Sequence, residues 1–127
     1  MKIILTTALI SLFAVQSSAQ LTIQNTKWKG RVVRGANTNE IIFDFKKDTL
    51  YNYRNGTVLI STFSFSQSHD TLMVTKTGGT GPCPTNSKGI YRIVAIENGA
   101  KFELHLIKEE CPGRATGWIA NPFERLE

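Results

Sequence analysis

The sequence predicts an all-β protein, an antiparallel up-and-down barrel of about eight strands. From Thr26 onward, apolar residues recur at every second position, which is the side-chain period of a strand with one buried face. Turn-forming residues interrupt these runs at short intervals, so successive strands should pair as antiparallel neighbours. Closing such a sheet on itself removes its exposed edges, which favours a barrel over a two-sheet sandwich.

The first nineteen residues predict a secretory signal peptide, Met1 to Ala19. Lys2 supplies a positive start, residues 3–15 form a nearly uncharged apolar run, and Ser17-Ser18-Ala19 places small residues before Gln20. We therefore expect one domain over residues 20–127, secreted or periplasmic, with no lipid anchor and no membrane span. Loss of Lys2 with this leader would lower the formal net charge from +5 to +4.

The first three strands are predicted over Thr26 to Arg34, Asn39 to Lys46 and Thr49 to Arg54. Asn55-Gly56 then matches a two-residue hairpin turn, because both residues tolerate positive backbone φ angles. The predicted inward residues of the first two strands are Trp28, Gly30, Val32, Ile41, Phe43 and Phe45.

The remaining strands follow the same alternation, with one long connection over Gly78 to Gly89. They are predicted over Thr57 to Gln67, Thr71 to Thr77, Ile90 to Ile96, Lys101 to Lys108 and Ala115 to Ala120. Their predicted inward residues include Leu59, Ser61, Phe63, Phe65, Phe102, Leu104 and Leu106.

The two cysteines, Cys83 and Cys111, predict a disulfide, since an even pair in an exported chain is most simply oxidised. Two alternatives remain: a metal site with His69 and His105, or a catalytic thiol beside one of these histidines. Neither has the spacing typical of such sites, so we expect no metal.

Basic residues near the start of the domain alternate with apolar ones, and few aromatic rings lie among them: Lys27, Lys29, Arg31 and Arg34. This pattern is typical of a solvated strand face, so we expect no nucleic-acid partner.

The sequence contains no combination of residues typical of an enzyme, and we expect neither catalysis nor a cofactor. Ser68, His69 and Asp70 supply the residue types of a catalytic triad, but neighbours in one tight turn seldom converge with the required geometry. Glu109-Glu110 is interpreted as a charged loop edge rather than an acid pair.

Three short motifs carry a resemblance to a known family: Trp28-Lys29-Gly30, Gly89-Ile90-Tyr91 after the Cys83-Pro84 loop, and Cys111-Pro112-Gly113-Arg114. Together they resemble the small lipocalin-like, calycin-type proteins exported by Bacteroidetes-type bacteria, over nearly all of the mature chain. The resemblance implies that the opening tryptophan closes one end of the barrel and that a late arginine packs across its ring. Arg114 is the best match for this arginine, with Arg125 as a substitute.

The same resemblance implies that a small hydrophobic ligand binds in the open mouth of a monomeric barrel. The ligand-binding residues expected on this ground are Trp28, Phe43, Phe45, Phe63, Phe65, Tyr91 and Phe102. Ser61, Tyr51 and Tyr53 could orient a polar end of the ligand. In a short barrel the same rings could instead fill the interior as core. A filled barrel would favour an interaction or inhibitor module of the cell envelope that acts through Gly78 to Gly89 and Cys111 to Thr116.

Overall fold

The computed structural model describes residues 20–34 and 36–126, so the predicted signal peptide over Met1 to Ala19 lies outside the described residues. The described chain forms eight strands, a 3₁₀ turn over Glu97–Gly99 and a short helix, α1, over Pro112–Trp118. The strands are β1 Thr26–Arg34, β2 Asn37–Phe45, β3 Thr49–Arg54, β4 Val58–Ser68, β5 Thr71–Gly79, β6 Lys88–Ile96, β7 Lys101–Glu109 and β8 Phe123–Arg125.

The sheet is a closed barrel in which each strand pairs with its neighbours along the chain. Every pairing is antiparallel, from β1 with β2 through to β7 with β8. The last strand completes the barrel by pairing with β1 as well, opposite Trp28 and Lys29. The predicted all-β, eight-stranded antiparallel barrel is thus confirmed, and its first seven strands match their predicted bounds to within two residues.

Large apolar side chains fill most of the barrel interior, because the alternation of each strand sends them to the same side. Eighteen hydrophobic positions among the described residues are buried, and the largest fully buried side chains are Trp28, Tyr91, Phe43, Phe45, Phe102, Ile23, Leu50, Leu72, Leu104 and Val74. The predicted hairpin turn also forms, with positive φ angles of 53° at Asn55 and 80° at Gly56.

Two residues predicted to face inward are exposed instead, Leu59 at 49 % and Leu106 at 47 %. Both lie where the strand pairing is irregular. In β4 the register shifts so that Ser61 faces Asn52 while Leu59 faces Tyr53, which leaves Ile60 as an extra residue. Leu106 lies beside a similar shift between Ile90 and Tyr91. A bulge of this kind reverses the side-chain alternation beyond it.

The strand predicted over Ala115 to Ala120 is wrong, because this segment belongs mostly to helix α1. The helix begins at Pro112, whose fixed φ suits a first helical position, and the Ile119 N–H donates to the Ala115 carbonyl at 3.0 Å. One face is buried, carrying Ala115 and Trp118 together with an arginine described below. The eighth strand follows instead at Phe123–Arg125.

The two ends of the barrel differ. At the closed end, residues 20–25 cross the barrel: Ile23 is fully buried, its N–H donates to Gln67 Oε1 at 3.0 Å, and Gln67 Nε2 donates to the Leu21 carbonyl at 2.7 Å. At the open end lie the β3–β4 hairpin, the loop between β5 and β6, and helix α1.

The predicted disulfide between Cys83 and Cys111 is confirmed, with Cα atoms 5.7 Å apart. It joins the β5–β6 loop to the residue that precedes helix α1. We expect Cys83→Ser, Cys111→Ser and the double variant each to lower the free energy of unfolding by about 3.6 kcal/mol, the loop-entropy value for this separation. Denaturant unfolding of the three variants checks this. Additive losses in the double variant would contradict a shared bridge.

Candidate functional site

A cavity of about 260 Å³ lies at the open end of the barrel. It is bounded by the inner faces of β1 to β5, by the β5–β6 loop and by helix α1. Its lining residues are Val32, Asn39, Ile41, Asn52, Arg54, Ile60, Ser61, Phe63, Lys76, Thr80, Gly81, Pro82, Cys83, Gly113, Arg114, Gly117 and Trp118.

An aromatic wall separates this cavity from the rest of the barrel interior. Helix α1 carries Trp118 into the mouth, where its ring centroid lies 5.2 Å from that of Phe63 and 4.8 Å from that of Phe43. Phe63 and Trp118 both line the cavity, together with Ile41 and Val32. Phe63 is 3 % exposed and Trp118 is 5 % exposed, so each ring presents a small apolar surface to the cavity.

Lys76 is a buried cation in the same cavity, with only 3 % of its surface exposed. It follows Leu72 and Val74 on the inward side of β5. Its Nζ donates to the Thr80 carbonyl at 2.8 Å and to the Cys83 carbonyl at 2.7 Å. Among residues 20–34 and 36–126, no carboxylate forms an ion pair with it. Lys76 therefore ties the disulfide loop to the barrel and leaves one of its three N–H donors to another partner.

Asn52 and Ser61 form a polar pair on facing strands, and each is 6 % exposed. Asn52 Nδ2 lies 3.4 Å from Ser61 Oγ. Its other amide atom, Oδ1, is buried without a hydrogen-bond partner in the described part of the chain. Buried polar atoms nearly always have a partner, so Asn52 Oδ1 is an exception within the barrel.

Arg114 and Glu109 form a buried ion pair beside the cavity, with both side chains 2 % exposed. Arg114 Nε donates to Glu109 Oε2 at 2.8 Å, and an η nitrogen donates to Oε1 at 2.5 Å. The Tyr91 hydroxyl and the Cys111 N–H donate to the same carboxylate. This network anchors helix α1 to the end of β7.

The pKa values of the network follow from its geometry. Burial alone would raise the pKa of Glu109, but hydrogen bonds from Arg114, Tyr91 and the Cys111 N–H hold it below its usual value. Burial would likewise lower the pKa of Arg114, but Glu109 raises it. Burial, followed by the hydrogen bond to Glu109, raises the pKa of Tyr91. Glu109 is therefore a buried structural carboxylate, which corrects its interpretation as a charged loop edge.

The aromatic residues predicted to bind a ligand lie mostly outside the cavity. Of the seven, Phe63 lines it. Five are fully buried in the packed core: Trp28, Phe43, Phe45, Tyr91 and Phe102. Phe65 is partly buried and packs on Phe45 with a centroid distance of 5.1 Å. Ser61, expected to orient a polar group, does line the cavity.

The arginine that covers Trp28 is Arg125, the predicted substitute. Its guanidinium carbon lies 5.3 Å from the ring centroid, because Arg125 pairs directly with Trp28 across β8 and β1. The assignment of Arg114 to this role is wrong. Arg114 lies at the other end of the barrel, over the rings of Phe63 at 5.4 Å and Trp118 at 5.7 Å.

The part of the chain that the structure describes also bears on metal sites and membrane spans. There, no group of three or more His, Cys, Asp or Glu side chains could hold a metal ion. His69 and His105 are both exposed and line no part of the cavity. No helix within the described ranges has the length and apolar character needed to cross a membrane.

The chain was also compared with known proteins. It matches no protein-family model, no curated protein and no solved structure. The class that can be stated is therefore that of the fold, a closed eight-stranded antiparallel barrel compatible with a lipocalin-like architecture.

Proposed function

We propose that this protein is a non-enzymatic binding barrel that takes one small, largely apolar ligand in the cavity at its open end. The observation that carries the proposal is the cavity itself, which apolar side chains and the buried Lys76 ammonium border together. Apolar surfaces with a few convergent polar groups are typical of small-molecule sites. Phe63 and Trp118 would contact the body of the ligand, and Asn52 would fix its polar end.

The proposal includes membership of the lipocalin-like proteins and export by the signal peptide predicted over Met1 to Ala19. The barrel supports the first part, since small barrels of this type hold ligands in their mouths. The disulfide between Cys83 and Cys111 supports the second, because such bonds persist in oxidising compartments. We propose that the exported chain acts as a monomer.

Calorimetric titration with cinnamyl alcohol, a flat neutral probe, tests binding in the cavity. We expect saturable binding at one site in the oxidised domain. Ser61→Leu places an apolar side chain in the cavity and should weaken binding by at least about tenfold, since the added atoms occupy the ligand's space. Ser64→Leu makes the same change on the exposed face of the same strand and should leave binding unchanged.

Native mass spectrometry of the domain purified from the cells that export it provides a second measurement. A small molecule that is released on denaturation would support the proposal and identify the ligand class. Absence of both a retained molecule and saturable binding of the probe would overturn it. Equal binding by wild type and Ser61→Leu would also overturn it, because the ligand would then lie elsewhere.

A second candidate function is a module that binds a protein partner through the rim of the open end. The observation in its favour is a set of apolar side chains around that rim, each more than 40 % exposed: Val33, Val58, Leu59 and Ile119. The small-molecule proposal is preferred because the rim would not explain the polar groups buried beneath it. If the barrel binds no small molecule, binding of a protein partner through this rim becomes the favoured function.

A further inference from the structure

The charges around the cavity are unbalanced. Three basic side chains line it, Arg54, Lys76 and Arg114, and no acidic residue in the described ranges does. Arg114 is neutralised by its ion pair with Glu109. Arg54 is exposed at the rim, where water can solvate it. The remaining charge is that of Lys76, which water reaches least.

Lys76 is incompletely compensated by the protein. Its two carbonyl partners satisfy two donors, but they supply only partial negative charge. A buried ammonium is costly unless it is paired and fully hydrogen-bonded. The third donor and the net charge favour an anion as the next partner, and Lys76 lines the cavity in which a ligand would bind.

Asn52 provides an independent polar group in the same cavity. Its Oδ1 lacks a hydrogen-bond partner among residues 20–34 and 36–126. If the amide is rotated by half a turn, the Ser61 hydroxyl donates to Oδ1 and the NH₂ group becomes the unpartnered one, able to donate to an anion. The Nδ2–Oγ distance of 3.4 Å is long for a hydrogen bond, so this exchange costs little.

The apolar lining of the cavity determines which kind of molecule carries the negative charge. Phe63, Trp118 and Ile41 present apolar surface that an inorganic ion would not use. One buried ammonium balances one negative charge. We infer that the cavity binds a small organic carboxylate, with its head group held by Lys76 and Asn52 and its apolar body against Phe63 and Trp118. This inference rests on the proposed function and specifies its ligand.

Cinnamate and cinnamyl alcohol form a matched pair of probes, since they share a body and differ in charge. We expect the unaltered oxidised protein to bind cinnamate at least about tenfold more tightly than the alcohol, the range of one charge-assisted hydrogen bond. Inorganic phosphate should compete weakly because it lacks the apolar body. Competition by phosphate as strong as that by cinnamate would overturn the inference of an organic ligand.

Lys76→Met replaces the ammonium with an apolar chain of similar length. It should abolish the preference for cinnamate, so that the variant binds the two probes with affinities that differ by less than about threefold. Lys47→Met removes an exposed lysine from the turn at the closed end and should change neither affinity. Asn52→Leu should weaken cinnamate binding more than alcohol binding.

The outcomes separate the two proposals. Equal affinity for both probes in the unaltered protein would overturn the carboxylate inference and leave the binding barrel in place. A preference for cinnamate that persists in Lys76→Met would overturn the role of Lys76. Binding of neither probe would count against the proposed function itself. The comparison of probes in the unaltered protein decides the matter even if Lys76→Met fails to fold.

Discussion

Arg114→Met is expected to lower the free energy of unfolding by about 3 to 5 kcal/mol, because it leaves the Glu109 carboxylate buried without its counterion. Both side chains are 2 % exposed, so water cannot take the place of the guanidinium. The loss should also loosen helix α1, which carries Arg114 and Trp118. Denaturant unfolding at neutral pH measures the effect.

An exposed ion pair serves as the control. Lys101 lies 3.3 Å from Glu97, but its side chain is 33 % exposed and that of Glu97 is 62 % exposed. Lys101→Met should therefore cost less than about 1 kcal/mol. Adding Glu109→Gln to Arg114→Met should recover part of the loss, because the uncompensated charge disappears. A loss below about 1 kcal/mol for Arg114→Met would contradict a desolvated pair.

The pair also predicts a pH dependence of stability. Because the fold holds the pKa of Glu109 below its usual value, the unfolded chain takes up this proton first as pH falls. The stabilisation is complete above about pH 5, beyond the unfolded value of about 4.3, and is lost as pH falls through the lower folded value. The stability difference between wild type and Glu109→Gln should therefore shrink between neutral pH and about pH 3.

Trp28→Ala is the second large effect, with an expected loss of about 3 to 5 kcal/mol. Trp28 is fully buried near the closed end, with its ring centroid 4.6 Å from that of Phe102. Its Nε1 donates to Thr26 Oγ1 at 2.6 Å, and Arg125 covers its ring. Truncation would leave a cavity where β1 and β8 close the barrel. Equilibrium unfolding followed by circular dichroism checks this.

The neighbouring residue on the outer face is the matched control. Lys29 has a side chain that is 39 % exposed and pairs with Glu40 at 4.0 Å and Glu124 at 3.9 Å. Lys29→Ala should change stability by less than about 0.5 kcal/mol. If both alanine variants are mild, Trp28 does not hold the barrel closed.

The strands could be predicted from the sequence because period-two alternation and turn chemistry agree. Trp28, Phe43 and Phe45 face inward as their phase requires. Phase alone does not locate bulges, since one extra residue leaves the composition of a strand unchanged. Leu59 and Leu106 were assigned inward for that reason.

Helix α1 was missed because its seven residues have weak helical propensity. Gly113 and Gly117 both disfavour a helix, and Ala115 and Gly117 imitate strand alternation. Tertiary packing, rather than local propensity, makes this segment helical. The helix places Trp118 into the barrel mouth, in contact with Phe63, and anchors Arg114 on Glu109. Pro112 at the first position was the available signal.

The polar residues of the candidate site did leave a signal in the sequence. Lys76 falls in phase with Leu72 and Val74, and Asn52 falls in phase with Leu50. A charged or amide residue on the apolar phase of a strand needs a partner inside the fold. The aromatic residues gave a stronger but less specific signal of a binding site, and most of them lie in the packed core.

Both ends of the described chain emerge on the side of the barrel opposite the cavity. Gln20 Nε2 donates to the His69 carbonyl in a turn at the closed end, and the Leu126 N–H donates to the Lys27 carbonyl at 2.8 Å beside the start of β1. A tag, a fluorophore or a solid support joined through either end would therefore leave the mouth facing away from the attachment. The geometry also suits a permuted chain, in which a linker across the closed end joins residues 126 and 20 and new ends are cut in a turn at the open end.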